Sequence, residues 1–132
     1  MAKFTLLDRW SPQILSLLRI VVGFLFLWHG SAKLLGYPPG MGGIQLMSLF
    51  GLAGILELVG GALVCVGLFT KPVAFILSGE MAVAYFMAHA SQGFLPFVNH
   101  GEAAVFYCFV FLYLAAAGGG PISLDAMLRK RG

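Results

Sequence analysis

The amino-acid sequence predicts an all-α protein, a four-helix transmembrane bundle with both termini cytoplasmic, forming a single membrane domain over residues 1–132. Three observations carry this expectation. The chain is 60% hydrophobic and only 10% charged, whereas a soluble domain carries roughly 25% charged residues. Its apolar residues gather into four stretches, most of them close to the ~20 residues that cross a bilayer as a helix. Its basic residues alternate along the chain. Lys3, Arg9, Lys71, Arg129, Lys130 and Arg131 fall in the leading segment, the middle turn and the tail, while the other two loops hold none. The positive-inside rule then places the 36–47 and 92–101 loops outside. The net charge of +3 reads as orientation and anionic-lipid contact, not as nucleic-acid binding.

The elements follow in order. Residues 1–12 are a short polar lead in which Trp10 suits the headgroup level. Pro12 fits the first turn of the helix expected over 13–35. This first apolar run is too long for a signal-peptide core and no A-x-A site follows it, so it is expected to remain as a spanning helix. Residues 36–47 carry two prolines and four glycines and read as a loop or re-entrant turn. A second helix is expected over 48–69, with glycines flanking Glu57 that let the first helix approach closely. Thr70-Lys71-Pro72 reads as a turn, followed by a third helix over 72–91 that holds Glu80 and His89. The fourth is expected over 101–118, ending at Gly118-Gly119-Gly120 before Pro121, which blocks continuation. The cytoplasmic tail, 121–132, suits a short interfacial helix with Ser123 as N-cap.

Polar residues inside apolar helices mark candidate sites. On the first helix Arg19, Gly23, Phe26, His29, Gly30 and Lys33 share an arc of roughly 120°. Glu57 and Glu80 fall near the bilayer midplane, and His29 roughly 8 Å to the outer side. Lys33, His89, His100 and Glu102 cluster at the outer edge. These heights suggest a polar cavity open to the outside and floored by two carboxylates. A mid-bilayer Glu is tolerated when neutral or paired, and if the two acids face each other one of them should hold a proton. Arg19 either snorkels to the headgroups or pairs with an acid, and Lys33 suits a snorkelling anchor. Glu57 and Glu80 are expected to line one cavity with His29 and Arg19. His89 lies about 180° from Glu80 on the wheel, so the two share a cavity only if the third helix bends or ends early. Glu102, Phe106, Phe109 and Tyr113 share a face of the fourth helix that is expected to look inward. Cys65 and Cys108 differ by roughly 14 Å in height, too far for a disulfide. His29 and His89 leave haem or metal ligation open. No nucleotide-binding glycine motif or nucleophile elbow is present.

From Leu18 to Asp125 the chain resembles the DoxX family of small four-helix membrane proteins. The matching stretches are LRIVVGFLFLWHGSAKL (18–34), GILELVGGALVCVGLFTKPVA (54–74), MAHASQGFLPFVNHGE (87–102) and LAAAGGGPISLD (114–125). Arg19, His29, Lys33, Glu57, Glu80, His89, Asn99 and Glu102 fall on the family's recurrent polar positions. The family usually has Gly where His100 stands, which sets His100 apart from a shared site. The resemblance implies a link to thiosulfate:quinone oxidoreductases, quinone and thiol stress, and membrane redox complexes.

The combined expectation is a multi-pass component of quinone-linked redox metabolism or oxidative-stress defence in the cell inner membrane. Glu57 and Glu80 are the candidate catalytic residues. Arg19, His29, Lys33, His89, Asn99, Glu102 and Tyr113 are the candidate ligand-binding residues. A quinone is the leading cofactor or ligand, with a small thiol-type ligand beside it and haem behind both. The alternative is non-enzymatic: a small-solute or ion pathway, or a scaffold for soluble redox partners. A homo-oligomer fits either reading.

Overall fold

The structure, a computed structural model, describes residues 5–37, 48–99 and 101–131. A helical turn, α1 (Thr5–Asp8), leads into α2 (Ser11–Leu35), which is 25 residues long with proline in its first turn. Gly36, at φ 72°, closes α2 in the left-handed conformation. Helix α3 (Leu49–Val66) starts at Ser48, whose hydroxyl accepts the Gly51 N–H at 3.0 Å. It stops at Gly67, φ 75°. Helix α4 (Thr70–Ala84) runs on without a break through a π-helical turn, Tyr85–His89, and a 3-10 turn, Ala90–Gln92. The turn α5 (Pro96–Asn99), α6 (Glu102–Ala117) and α7 (Leu124–Arg131) complete the chain. Among the described residues there is no strand. The segments Ser11–Leu35, Leu49–Val66 and Thr70–Gln92 are long and apolar enough to cross a membrane. The 16-residue α6 is apolar but shorter.

The helices pack as two close pairs, α2 with α3 and α4 with α6, joined by a smaller α3–α4 interface. Small residues make the first pair possible. A Cβ on Gly23 would meet the Cys65 backbone nitrogen at 2.5 Å, and one on Gly61 would meet the Leu27 backbone at 2.9 Å. The helices therefore touch backbone to backbone, which recovers dispersion contacts that lipid cannot outcompete. Phe26 bridges the two pairs, with its ring 4.8 Å from both Tyr107 and Phe111.

Helix α6 presents the opposite face from the one expected. Phe106, Phe109 and Tyr113 are 70%, 62% and 56% exposed, and Glu102 is exposed with them. The inward face is Ala104, Phe111 and Leu114. The helix is apolar on every side, so the wheel carries no directional signal. The small Ala104 lets α4 approach, Phe111 fills the core, and Phe106, Phe109 and Tyr113 go to the periphery.

Arg19 corrects a second expectation, since it pairs with neither Glu57 nor Glu80 and does not snorkel. It is 1% exposed and donates to four backbone carbonyls. Its Nε reaches Gly119 at 3.0 Å, its Nη1 reaches Val64 and Cys65 at 2.9 Å each, and its Nη2 reaches Ile122. The Val64 and Cys65 carbonyls lie at the C-terminal end of α3, which carries partial negative charge, and those of Gly119 and Ile122 lie in the segment between α6 and α7. The guanidinium thus ties the end of α3 to the segment that follows α6. Ser16 adds to this latch, its hydroxyl donating to the Gly119 carbonyl and accepting the Ile122 N–H, each at 3.0 Å.

Asp125 makes the complementary contact. Its carboxylate accepts the N–H groups of Phe69 at 2.8 Å and Thr70 at 2.9 Å, capping the start of α4. Phe69 there holds a left-handed φ of 53°, a conformation a bulky residue adopts only when tied down. Ser123 caps α7 through the Ala126 N–H at 3.1 Å. Burial pushes the Asp125 carboxyl up, but hydrogen bonds from Thr70 and Phe69 and the charge of Arg129 outweigh it and hold it below its ordinary value. A depressed acid stabilises the fold above its unfolded-state pKa, and that contribution fades as pH falls through the depressed value. We expect the unfolding temperature of the purified protein to drop at acid pH, and Asp125→Asn to flatten that drop. An identical acid profile in the variant would remove Asp125 from this role.

Candidate functional site

A cleft of about 570 Å³ lies among α2, α3, α4 and α6 on the side away from the Arg19 latch. Each polar wall residue is delivered by its place on a helix. His29 and Lys33 stand one turn apart on α2. Glu57 comes from α3 between the close-packed Gly54 and Gly61, which hold the helix axis against α2 and put the carboxylate opposite Lys33. Lys33 Nζ donates to both Glu57 oxygens, at 2.6 and 2.7 Å. Glu57 is 1% exposed and the Lys33 side chain 14%. Lys33 is therefore a buried ion partner and not the interface anchor expected of it. A carboxylate at this depth is held by an ammonium that neutralises it and saturates both oxygens.

Glu80 stands beside this pair, within electrostatic reach of Glu57 and Lys33. Both its carboxyl oxygens are buried, and neither makes a hydrogen bond of ordinary geometry. A buried polar group without a partner costs several kcal/mol relative to water. Glu80 is thus aimed into the cleft with hydrogen-bonding capacity that the described residues leave unused.

His89 joins Glu80 on the cleft wall, which an unbroken α-helix forbids. The π turn resolves the conflict. It advances roughly 80° per residue against about 100° in an α-helix, so five residues swing the ring back by roughly 100°. Tyr85 stacks on His89 with ring centres 6.3 Å apart and donates its hydroxyl to the Phe94 carbonyl at 2.8 Å. Helix α6 contributes Tyr107, whose ring meets His29 edge-on at 5.6 Å. Sequence reasoning missed Tyr107, although the small Ala104, three residues before it, marks the close-packed side of α6.

The structure therefore brings together Glu57, Glu80, His29, Lys33 and His89. Arg19 lies in the latch instead. Glu102 lines a separate hollow of about 280 Å³ with Pro96, Val105 and Phe106. Tyr113 faces outward on α6. The Asn99 side chain and His100 lie outside the described residues. Among the described residues no three His, Cys, Asp or Glu side chains converge as metal ligands. Cys65 and Cys108 are free thiols.

Comparisons with known proteins fit this arrangement. The chain is 44% identical over 131 residues to an uncharacterized protein of Haemophilus influenzae, covering 95% of this chain and 98% of that one. It is 28% identical over 121 residues to CatD of Bacillus subtilis, provisionally named an oxidoreductase, covering 86% of each. It is 28% identical over 128 residues to the inner membrane protein YqjF of Escherichia coli, covering 86% of this chain and 90% of that one. No solved structure matches. The DoxX family model matches residues 14–90, from the start of the glycine-seamed α2–α3 pair through the π turn, and the chain belongs to the DoxX family.

Proposed function

We propose that this protein is a component of quinone-linked redox metabolism or oxidative-stress defence in the cell inner membrane, with the cleft as its ligand site. One observation carries the reading: the buried Glu80 carboxyl makes no hydrogen bond of ordinary geometry and faces the Glu57 carboxylate, which Lys33 already holds. A quinone has a flat apolar ring for the Phe26–Tyr107 wall and carbonyl oxygens for Glu80 and His29. Its reduction to the quinol takes two electrons and two protons. The electrons would come from a thiol-type donor or a soluble redox partner. The protons would pass through Glu80 and Glu57, with Lys33 holding Glu57 in place. The provisional name of CatD points the same way.

The alternating basic residues support a bundle whose four apolar helices all span, with both termini cytoplasmic and the cleft toward the outside. In a variant lacking Cys65 and Cys108, an impermeant maleimide should label a cysteine placed at Phe94 and spare one at Lys71. The reverse pattern would invert the orientation.

The functional test is organic extraction of protein purified from its own membranes, with a visible–ultraviolet spectrum of the extract. We expect a quinone at a substantial fraction of the protein concentration, and a marked loss of it in Glu80→Gln at unchanged unfolding temperature. Protein that carries no quinone and binds none when one is added would overturn the reading.

A further inference from the structure

We infer that the occupant of this cleft is a tailed amphiphile that enters sideways from the membrane, between α3 and α4, with its uncharged polar head against Glu80 and its tail along Phe50, Leu52, Val83 and Met87. The inference rests on the proposed site and specifies what kind of molecule fills it.

Three features on different parts of the cleft converge on it. The first is the gap between the helix pairs. Helices α3 and α4 share a far smaller interface than α2 with α3 or α4 with α6. Helices α2 and α6 lie farther apart, but the rings of Phe26, His29, Tyr107 and Phe111 fill the space between them, which leaves the α3–α4 side the loose one. The second is what lines the loose side. Phe50, Leu52, Val83 and Met87 all border the cleft, yet they are 55%, 54%, 56% and 60% exposed. They belong at once to the cavity wall and to the outer surface of α3 and α4, so cavity and surface are continuous there. No charged residue stands among these four. An apolar chain can pass from cleft to lipid along this path without meeting a charge, whereas a hydrated solute would have to shed its water to use it.

The third feature is the charge balance at the inner end. Lys33 and Glu57 neutralise each other at 2.6 Å. The Lys33 ammonium is therefore already engaged and is not free to attract an anionic head group. The Glu80 carboxyl oxygens are buried and make no hydrogen bond of ordinary geometry; they can accept from a hydroxyl, and the protonated carboxyl can donate to a carbonyl. The chemistry required is an uncharged oxygen-bearing head on an apolar chain. A water-phase thiol or small ion would leave the apolar half of the cleft unfilled.

The test compares two probes in lipid nanodiscs: tetramethyl-p-benzoquinone, and the same ring with one methyl replaced by a decyl chain. Full ring substitution prevents adducts with Cys65 and Cys108. Binding is read by quenching of the protein's intrinsic fluorescence. Wild type is compared with Val83→Trp, which narrows the gap, and Val83→Ala, which widens it. Membrane partition of each probe is the same for all three proteins and cancels. We expect Val83→Trp to weaken the decyl probe about tenfold relative to the ring alone, since the larger side chain overfills the path the chain must take. Val83→Ala should preserve decyl binding, which shows that the tryptophan acts by filling the path. Equal effects of Val83→Trp on both probes, or none on either, would overturn the sideways route while leaving the site intact. Failure of wild type to bind either probe would overturn the site itself and this inference with it.

Discussion

Arg19→Ala should abolish most of the bundle's stability. The substitution removes four hydrogen bonds to the carbonyls of Gly119, Val64, Cys65 and Ile122 inside a closed corner of the protein, where Gly119 keeps only the Ser16 hydroxyl and Val64 only the Gly67 N–H. Hydrogen bonds to a charged group are worth about 1.5–3 kcal/mol each, and stranding buried polar groups adds their desolvation cost. Even with strong non-additivity the loss should be about 3–5 kcal/mol, comparable with the whole stability of many small domains. Arg19→Lys should recover little of it, because one ammonium cannot address four carbonyls spread around a planar fork. Thermal unfolding in detergent, followed by circular dichroism, measures both variants. Wild-type unfolding in Arg19→Ala would show that the latch contributes little. The cleft lies on the other side of the bundle, so any Arg19→Ala protein that does fold should still bind the decyl quinone.

Gly30→Ala should come close to the same cost through a single methyl group. A Cβ at Gly30 would overlap the Leu58 backbone nitrogen and meet the Gly54 carbonyl oxygen at 2.5 Å. Neither obstacle is a flexible side chain, so α2 and α3 must move apart along their whole seam. Overpacking typically costs about 1–3 kcal/mol and more where backbone must shift. The displacement would also lengthen the Lys33–Glu57 contact one turn away, so quinone binding should weaken together with stability. Gly79→Ala is the control. Nothing lies within 4 Å of a Cβ there, and alanine in an exposed helix gains roughly 0.5–1 kcal/mol over glycine. Equal behaviour of the two alanine variants would contradict the close seam.

The contrast between these residues explains what was readable in the sequence. Small residues at helical spacing, such as Gly54 and Gly61, announce a close approach because only close approach requires them. Glu57 announces a buried partner because a carboxylate inside an apolar helix demands one. Which cation answers it, Lys33 or Arg19, depends on the rotation of α2 against α3, and the stripe on α2 contains both. Arg19 found backbone carbonyls, which have no residue identity and leave no trace in a sequence. The face of α6 was unreadable for a related reason: a helix apolar all round gives the wheel nothing to weigh. His89 was obscured by backbone winding, since the π turn at Tyr85–His89 changes the phase of every residue after it.

The Arg19 latch has a consequence for biogenesis. Its guanidinium reaches Val64 and Gly119, 45 and 100 residues later in the chain. At roughly 5–20 residues per second of synthesis, α2 and α3 meet several seconds before the last partners emerge. During that interval the arginine can engage only the α3 carbonyls. The nascent chain is therefore a half-closed hairpin awaiting its own final segment, and the step that seals it is the arrival of Gly119–Asp125. A ribosome that stops short of Gly119 would leave a protein with its helices present and the Arg19 guanidinium holding only its α3 partners.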